Sequence, residues 1–113
     1  MKIIQTGLNV DLTDPMKKYI DEKIGILKRY FKGQDEVLEA RVDVRIDTHH
    51  KTGEVYMVSV NFVVKGKDFY AKERHDDFYG AIDIVQEELE TQMLKHKEQL
   101  KEGIGGESIR KEE

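Results

Sequence analysis

The chain has 113 residues, with 19 Lys and Arg against 23 Asp and Glu, a formal charge of −4 and no cysteine. That length supports one compact domain with a modest core, and the lack of cysteine excludes disulfides, thiolate metal sites and a cysteine nucleophile. No run approaches the roughly 20 apolar residues of a membrane span, and the acidic balance excludes an indiscriminate nucleic-acid binder, though not a localised basic face.

The start, Met1-Lys2-Ile3-Ile4-Gln5, turns polar too soon for a signal peptide, so a cytoplasmic protein is expected. Lys2 to Thr6 reads as a short strand ended by Gly7. Thr13-Asp14-Pro15 is a helix start, with a capping side chain and proline at an early helical position. Met16, Ile20, Ile24, Leu27 and Phe31 then fall on one stripe, which predicts a helix to about Lys32, stopped by Gly33.

Glu39 to Asp47 alternates, with Val42, Val44 and Ile46 on one face and Arg41, Asp43, Arg45 and Asp47 on the other. This is a half-buried strand with a charge-striped outer face. Residues 48–53 predict a turn, Tyr56, Val58, Val60 and Phe62 a second alternating strand, residues 65–68 another turn, and Phe69 to Arg74 a short strand. A second helix is expected from about Asp77 to Lys101, with Phe78, Ile82, Val85 and Leu89 on its buried face and Asp76 or Asp77 as its cap. Gly103-Ile104-Gly105-Gly106 ends it. Residues 1–102 then make one domain, and 103–113 a polar, disordered tail.

The predicted order is β-α-β-β-β-α. Its simplest packing is an α+β two-layer sandwich: a four-stranded sheet, its last three strands an antiparallel meander, with both helices on one face. This is loosely similar to double-stranded-RNA-binding domains.

The run Asp77-Phe78-Tyr79-Gly80-Ala81-Ile82-Asp83 resembles the helix start, usually Asp-x-Tyr-x-Ala-Ile-Asp, of the ribosome hibernation-promoting factor and ribosome-associated inhibitor A family. Asn9 to Thr13, the positions Lys23, Leu27, Tyr30 and Phe31, and the basic stretch Leu94 to Lys101 fit the same family, so the resemblance covers about residues 1 to 101. It implies a non-enzymatic protein that binds the small ribosomal subunit and its rRNA along the mRNA channel and tRNA sites. Such a protein blocks initiation under stress. The expected partners include no DNA and no membrane, no cofactor or metal is implied, and the free protein is expected to be a monomer. Nothing foldable follows Lys101, so the short form is the one resembled.

Basic side chains on the two helices carry rRNA phosphate contact in that family, and here they match Lys17, Lys23, Lys28, Arg29, Lys95 and Lys97. At α-helical spacing, Lys17, Lys28, Lys32, Lys18 and Arg29 share an arc of about 120° beside the apolar stripe. Lys23 lies on the flank of that stripe, where a purely packing-driven sequence would place a hydrophobe. The chain departs from its relatives at Ile26, Glu88 and Thr91, where they tend to be basic. Glu88 belongs to the acidic stretch Glu87-Glu88-Leu89-Glu90, so a smaller basic footprint is expected.

Two other readings compete. A general structured-RNA-binding module would bind naked duplex RNA as well as ribosomes. An enzyme would use His75 beside Asp76 and Asp77, yet the aspartates are accounted for as caps and no nucleophile–base–orienter spacing accompanies them. His49 and His50 fall in a predicted turn and point apart. His96 is expected half-buried on the apolar face of the second helix, and Tyr79 packed on the sheet edge.

Overall fold

The computed structural model describes residues 2–31, 37–49 and 53–105. The elements are β1 (Lys2–Gly7), α1 (Asp14–Gly25), a 3₁₀ turn (Ile26–Tyr30), β2 (Val37–His49), β3 (Gly53–Val64), β4 (Lys67–His75) and α2 (Phe78–Gly105). The strands form one sheet in the order β1-β2-β3-β4. β2, β3 and β4 are the antiparallel meander, and β1 pairs parallel to β2, Lys2 opposite Glu39 and Gly7 opposite Val44. The expected β-α-β-β-β-α sandwich is what forms.

Strand alternation builds the core. Ala40, Val42, Val44, Val58, Val60 and Phe62 are fully buried, and the register aligns Val42 with Val60 and Ala71, and Ala40 with Phe62 and Phe69. The row of Val44 and Val58 ends on β4 in Glu73, which sets a carboxylate on the inner face at the sheet edge. Over this face lie Met16, Ile20 and Ile24 of α1 and Phe78, Ala81, Ile82, Val85, Leu89 and Met93 of α2, all buried. The outer face carries the predicted charge stripe and neutralises itself. Arg41 pairs with Glu39 at 2.6 Å and Arg45 with Asp47 at 3.4 Å, exposed contacts worth at most about 1 kcal/mol each.

Both helix starts form as expected. Thr13 Oγ1 accepts from the Met16 N–H at 3.3 Å, with proline at the first turn. Asp77 accepts from the N–H groups of Tyr79 and Gly80 at 3.4 and 3.2 Å. The first helix departs from expectation. Its α-helical part stops at Gly25, Ile26–Tyr30 is 3₁₀, and Phe31 is extended with φ −121° and ψ 134°. Leu27 is buried and Tyr30 half-buried, so a spacing of three, native to a 3₁₀ turn, carries the inward face onward. The predicted stop at Lys32 and Gly33 lies outside the described residues.

β2 and β3 reach further into the predicted 48–53 turn than expected, to His49 and from Gly53. His50, Lys51 and Thr52 lie outside the described residues. Lys65-Gly66 makes the turn into β4, where Gly66 has φ 84°, a left-handed conformation glycine adopts at little cost. α2 stays helical through Gly105, past the predicted glycine stop, while residues 106–113 lie outside the described set.

Candidate functional site

The two helices meet along a seam of aromatic and charged side chains. Tyr19 of α1 donates its hydroxyl to Asp83 Oδ1 of α2 at 2.5 Å, and the Lys23 ammonium stands 3.9 Å from the same oxygen and 5.5 Å from the Tyr19 ring centroid. Two turns on along α2, Tyr30 donates to Glu90 Oε2 at 2.5 Å, and Arg29 reaches that oxygen at 3.1 Å while lying over the Tyr30 ring. The Tyr19 phenol is pushed up to about 12, first by its hydrogen bond to Asp83 and then by burial. Asp83 and Glu90 therefore each fix one tyrosine and one cation of the neighbouring segment.

The six predicted contact residues do not form one cluster. Lys17 and Lys28 are exposed, and among the described residues no ion pair engages either. Lys17 faces the β1 side, where Gln5 Nε2 donates to its carbonyl at 3.1 Å and to Asp21 at 2.7 Å. Arg29 leaves the arc it was predicted to share with Lys17 and Lys28. The 3₁₀ turn advances about 120° per residue instead of 100°, and Arg29 swings to the α2 side to meet Glu90. Lys23 sits half-buried at the seam.

Lys95 and Lys97 are both exposed but project from α2 about 160° apart, as residues two positions apart on an α-helix must. Lys97 continues the stripe of Asp83 and Glu90 that faces α1. Lys95 lies on the β4 flank, beside Lys67 and His96. The residues that sequence reasoning missed are the acids and phenols, Tyr19, Tyr30, Asp83 and Glu90. Their signal was present in the seven-residue spacing of Asp83 and Glu90, which puts both on one face two turns apart.

The opening of α2 is packed for structural reasons. A Cβ on Gly80 would lie 2.8 Å from Cε1 of His75, so the imidazole occupies the space glycine leaves. His75 Nδ1 lies 2.9 Å from the Asp77 N–H and 3.0 Å from Asp76 Oδ1. A neutral ring accepts from the first and a protonated ring donates to the second. Ala81 is fully buried. The Tyr79 ring packs edge-on against Tyr19 at 4.9 Å and against Phe78 at 5.1 Å, rather than on the sheet edge as expected, because its direction from α2 is the one that faces α1. His96 is half-buried as expected, with its ring 5.5 Å from that of Phe69.

Glu88 points to β4, not to solvent. Its Oε1 is sealed without a hydrogen-bond partner. Burial first, then the hydrogen bond and repulsion from Glu73, push its carboxyl up. An acid whose folded pKa is raised contributes stability below the unfolded pKa, about 4.3, and loses it as pH rises through the folded value. Glu88→Gln replaces a repelling carboxylate with an amide donor to Glu73. We expect it to raise the melting temperature at pH 7–8 by several degrees, for a gain of about 1 kcal/mol, with the gain vanishing towards pH 4. Thermal melts across that range check this, and an equal effect at both ends would contradict it.

Comparison with known proteins gives one consistent result. Residues 3–101 match the family model described as sigma 54 modulation protein / S30EA ribosomal protein. The chain is 36% identical over 91 residues to the ribosome hibernation promotion factor of Staphylococcus aureus (strain COL), covering 80% of this chain and 45% of that protein. It thus spans about half the length of that curated relative. Among solved structures it is similar to a ribosomal subunit interface protein from Coxiella burnetii, with a TM-score of 0.70 and 27% identity over 86% of this chain and 98% of that one. It is also similar to the N-terminal domain of Thermus thermophilus Protein Y, with a TM-score of 0.66 and 26% identity over 85% and 99%.

Proposed function

This chain belongs to the sigma 54 modulation protein / S30EA ribosomal protein family, and we propose on that footing that it is a hibernation factor seated on the small ribosomal subunit. The family is one of ribosome-associated binding proteins, and the chain is not an enzyme. In this reading residues 1–102 occupy the mRNA channel and tRNA sites through rRNA phosphates and block initiation under stress, in the cytoplasm, by a protein that is monomeric when free.

One observation carries the reading. The helix layer offers Lys17 and Lys28 exposed and without ion pairs among the described residues, while Lys23 and Arg29 are held at the seam by Asp83 and Glu90. Lysine and arginine contacts to phosphate give affinity and position without reading sequence, which suits occlusion of a fixed rRNA surface. The outer sheet face, where Arg41 and Arg45 already have carboxylate partners on their own strand and Arg74 has one across the sheet in Asp47, is less suited.

The test is sedimentation with vacant small subunits across a salt series. The protein is expected to pellet at low salt and to be released steeply as salt rises. Absence from the pellet at low salt would remove the reading. Equal binding to naked duplex RNA would favour a general RNA-binding module instead.

A further inference from the structure

On the β4 flank of α2, away from the helix seam, an open pocket of about 170 Å³ is lined by Lys67, Phe69, Gln92, Lys95 and His96. Its volume is below the roughly 300 Å³ at which pockets take drug-sized ligands, so a whole nucleotide does not fit inside. A single tetrahedral anion with its waters does.

The lining selects charge as well as size. Among the described residues it contains two ammonium groups, one imidazole and one carboxamide, and no carboxylate. Among the described residues no ion pair engages Lys67, Lys95 or His96, whereas Lys23, Arg29, Arg41 and Arg45 all have acidic partners. The groups are also positioned. The Lys67 ammonium stands 5.7 Å from the Phe69 ring centroid, a cation–π contact, and the His96 ring packs edge-on against the same phenylalanine. Gln92 Nε2 donates to the Tyr70 carbonyl at 2.7 Å, which fixes the amide and leaves its second N–H available. A second pocket, on the outer sheet face, mixes Asp43 with Arg45 and Lys72 and is not single-signed.

We propose that Lys67, Lys95, His96 and the Gln92 amide form a phosphate pocket that holds one backbone phosphate of the RNA bound by the helix layer. The assignment rests on the ribosome-binding reading above. It adds β4 and the far flank of α2 to the contact surface, through Lys67, a residue on neither helix. Lysine binds phosphate as a point charge, so two ammonium groups around one mouth act on one phosphate together.

The experiment compares the wild type, Lys67→Met, Lys95→Met and the double variant in binding vacant small subunits over a salt series. Losing one phosphate contact lowers the slope of log affinity against log salt by about one, which is roughly tenfold at about 0.1 M salt. Because both lysines serve one phosphate, the double variant is expected to lose little more than either single one. If Lys67→Met matches the wild type in affinity and slope, or if the two losses multiply, the shared pocket is overturned while the ribosome reading stands. If the wild type itself does not bind subunits, the ribosome reading falls, and inorganic phosphate becomes the probe, followed by the His96 imidazole NMR signals at constant ionic strength. A shift that Lys67→Met abolishes would then retain a phosphate site and assign it to the free ion; no shift would overturn it.

Discussion

Replacing Lys17 and Lys28 together by glutamate is expected to weaken binding to vacant small subunits about a hundredfold at roughly 0.1 M salt, and to flatten the salt dependence by about two units. Both side chains are exposed, and among the described residues neither has an ion-pair partner, so their charge is available to a phosphate. Neither packs in the core, so the variant should melt close to the wild type, and lost binding would report contact rather than unfolding. The comparison variant is Arg41→Glu on the outer sheet face, where the arginine is 63% exposed and already paired with Glu39. It is expected to bind as the wild type does. Quantitative sedimentation of the two variants decides the orientation. Arg41→Glu releasing the protein while the double lysine variant still binds would mean that the sheet, not the helix layer, faces the ribosome.

Gly7→Ala is the substitution expected to unsettle the fold most. A Cβ on Gly7 would lie 2.0 Å from the carbonyl oxygen of Val10. That oxygen is backbone, in a segment tied on both sides. The Leu8 N–H donates to the Val44 carbonyl at 2.8 Å, and the Asn9 side chain exchanges two hydrogen bonds with Ile46, at 2.7 and 2.8 Å. Relief requires moving this segment off β2, so we expect a loss of at least about 3 kcal/mol and a fall in melting temperature on the order of 10 °C. Gly25→Ala is the matched control. Its Cβ would meet only Ile3 Cδ1, at 3.8 Å, and the residue is helical, so alanine there should add about 0.5–1 kcal/mol. Circular dichroism melts of the pair check both signs, and a Gly7→Ala protein that melts within a degree or two of the wild type would contradict the clash.

Much of this architecture was legible in residue order because it depends on local spacing. Period-two alternation in residues 39–47 and 56–62 places Val42, Val44, Val58 and Val60 inside, and Thr13 and Asp77 cap their helices through short side chains that need no distant partner. Positions where two periods agree were not legible. Ile24, Leu27 and Tyr30 are three apart, which an α-helix and a 3₁₀ turn satisfy alike, and only the structure separates them at Gly25. Contacts between distant segments were equally hidden. Glu88 looked like a lost rRNA contact in an acidic run, while in the fold it lies against Glu73, fifteen positions earlier in the chain. The run that opens α2 named the family, and its Tyr79, Gly80 and Asp83 turn out to serve Tyr19, His75 and Lys23. Lys67 carried no sequence signal for a site, because its neighbourhood with Lys95 exists only once β4 and α2 are packed.

The seam, the core and the β4 flank all draw on one uninterrupted helix, and that governs which kinds of sequence change the protein can absorb. Asp83 and Glu90 face α1, Leu89 and Met93 face the core, and Gln92 and Lys95 face β4. Inserting or deleting one residue between Asp83 and Glu90 turns everything downstream by about 100°. Glu90 then no longer meets Arg29, and Leu89 and Met93 leave the core in the same step. Side chains along α2 can therefore be exchanged one at a time, but the number of residues between Phe78 and His96 is fixed as a block.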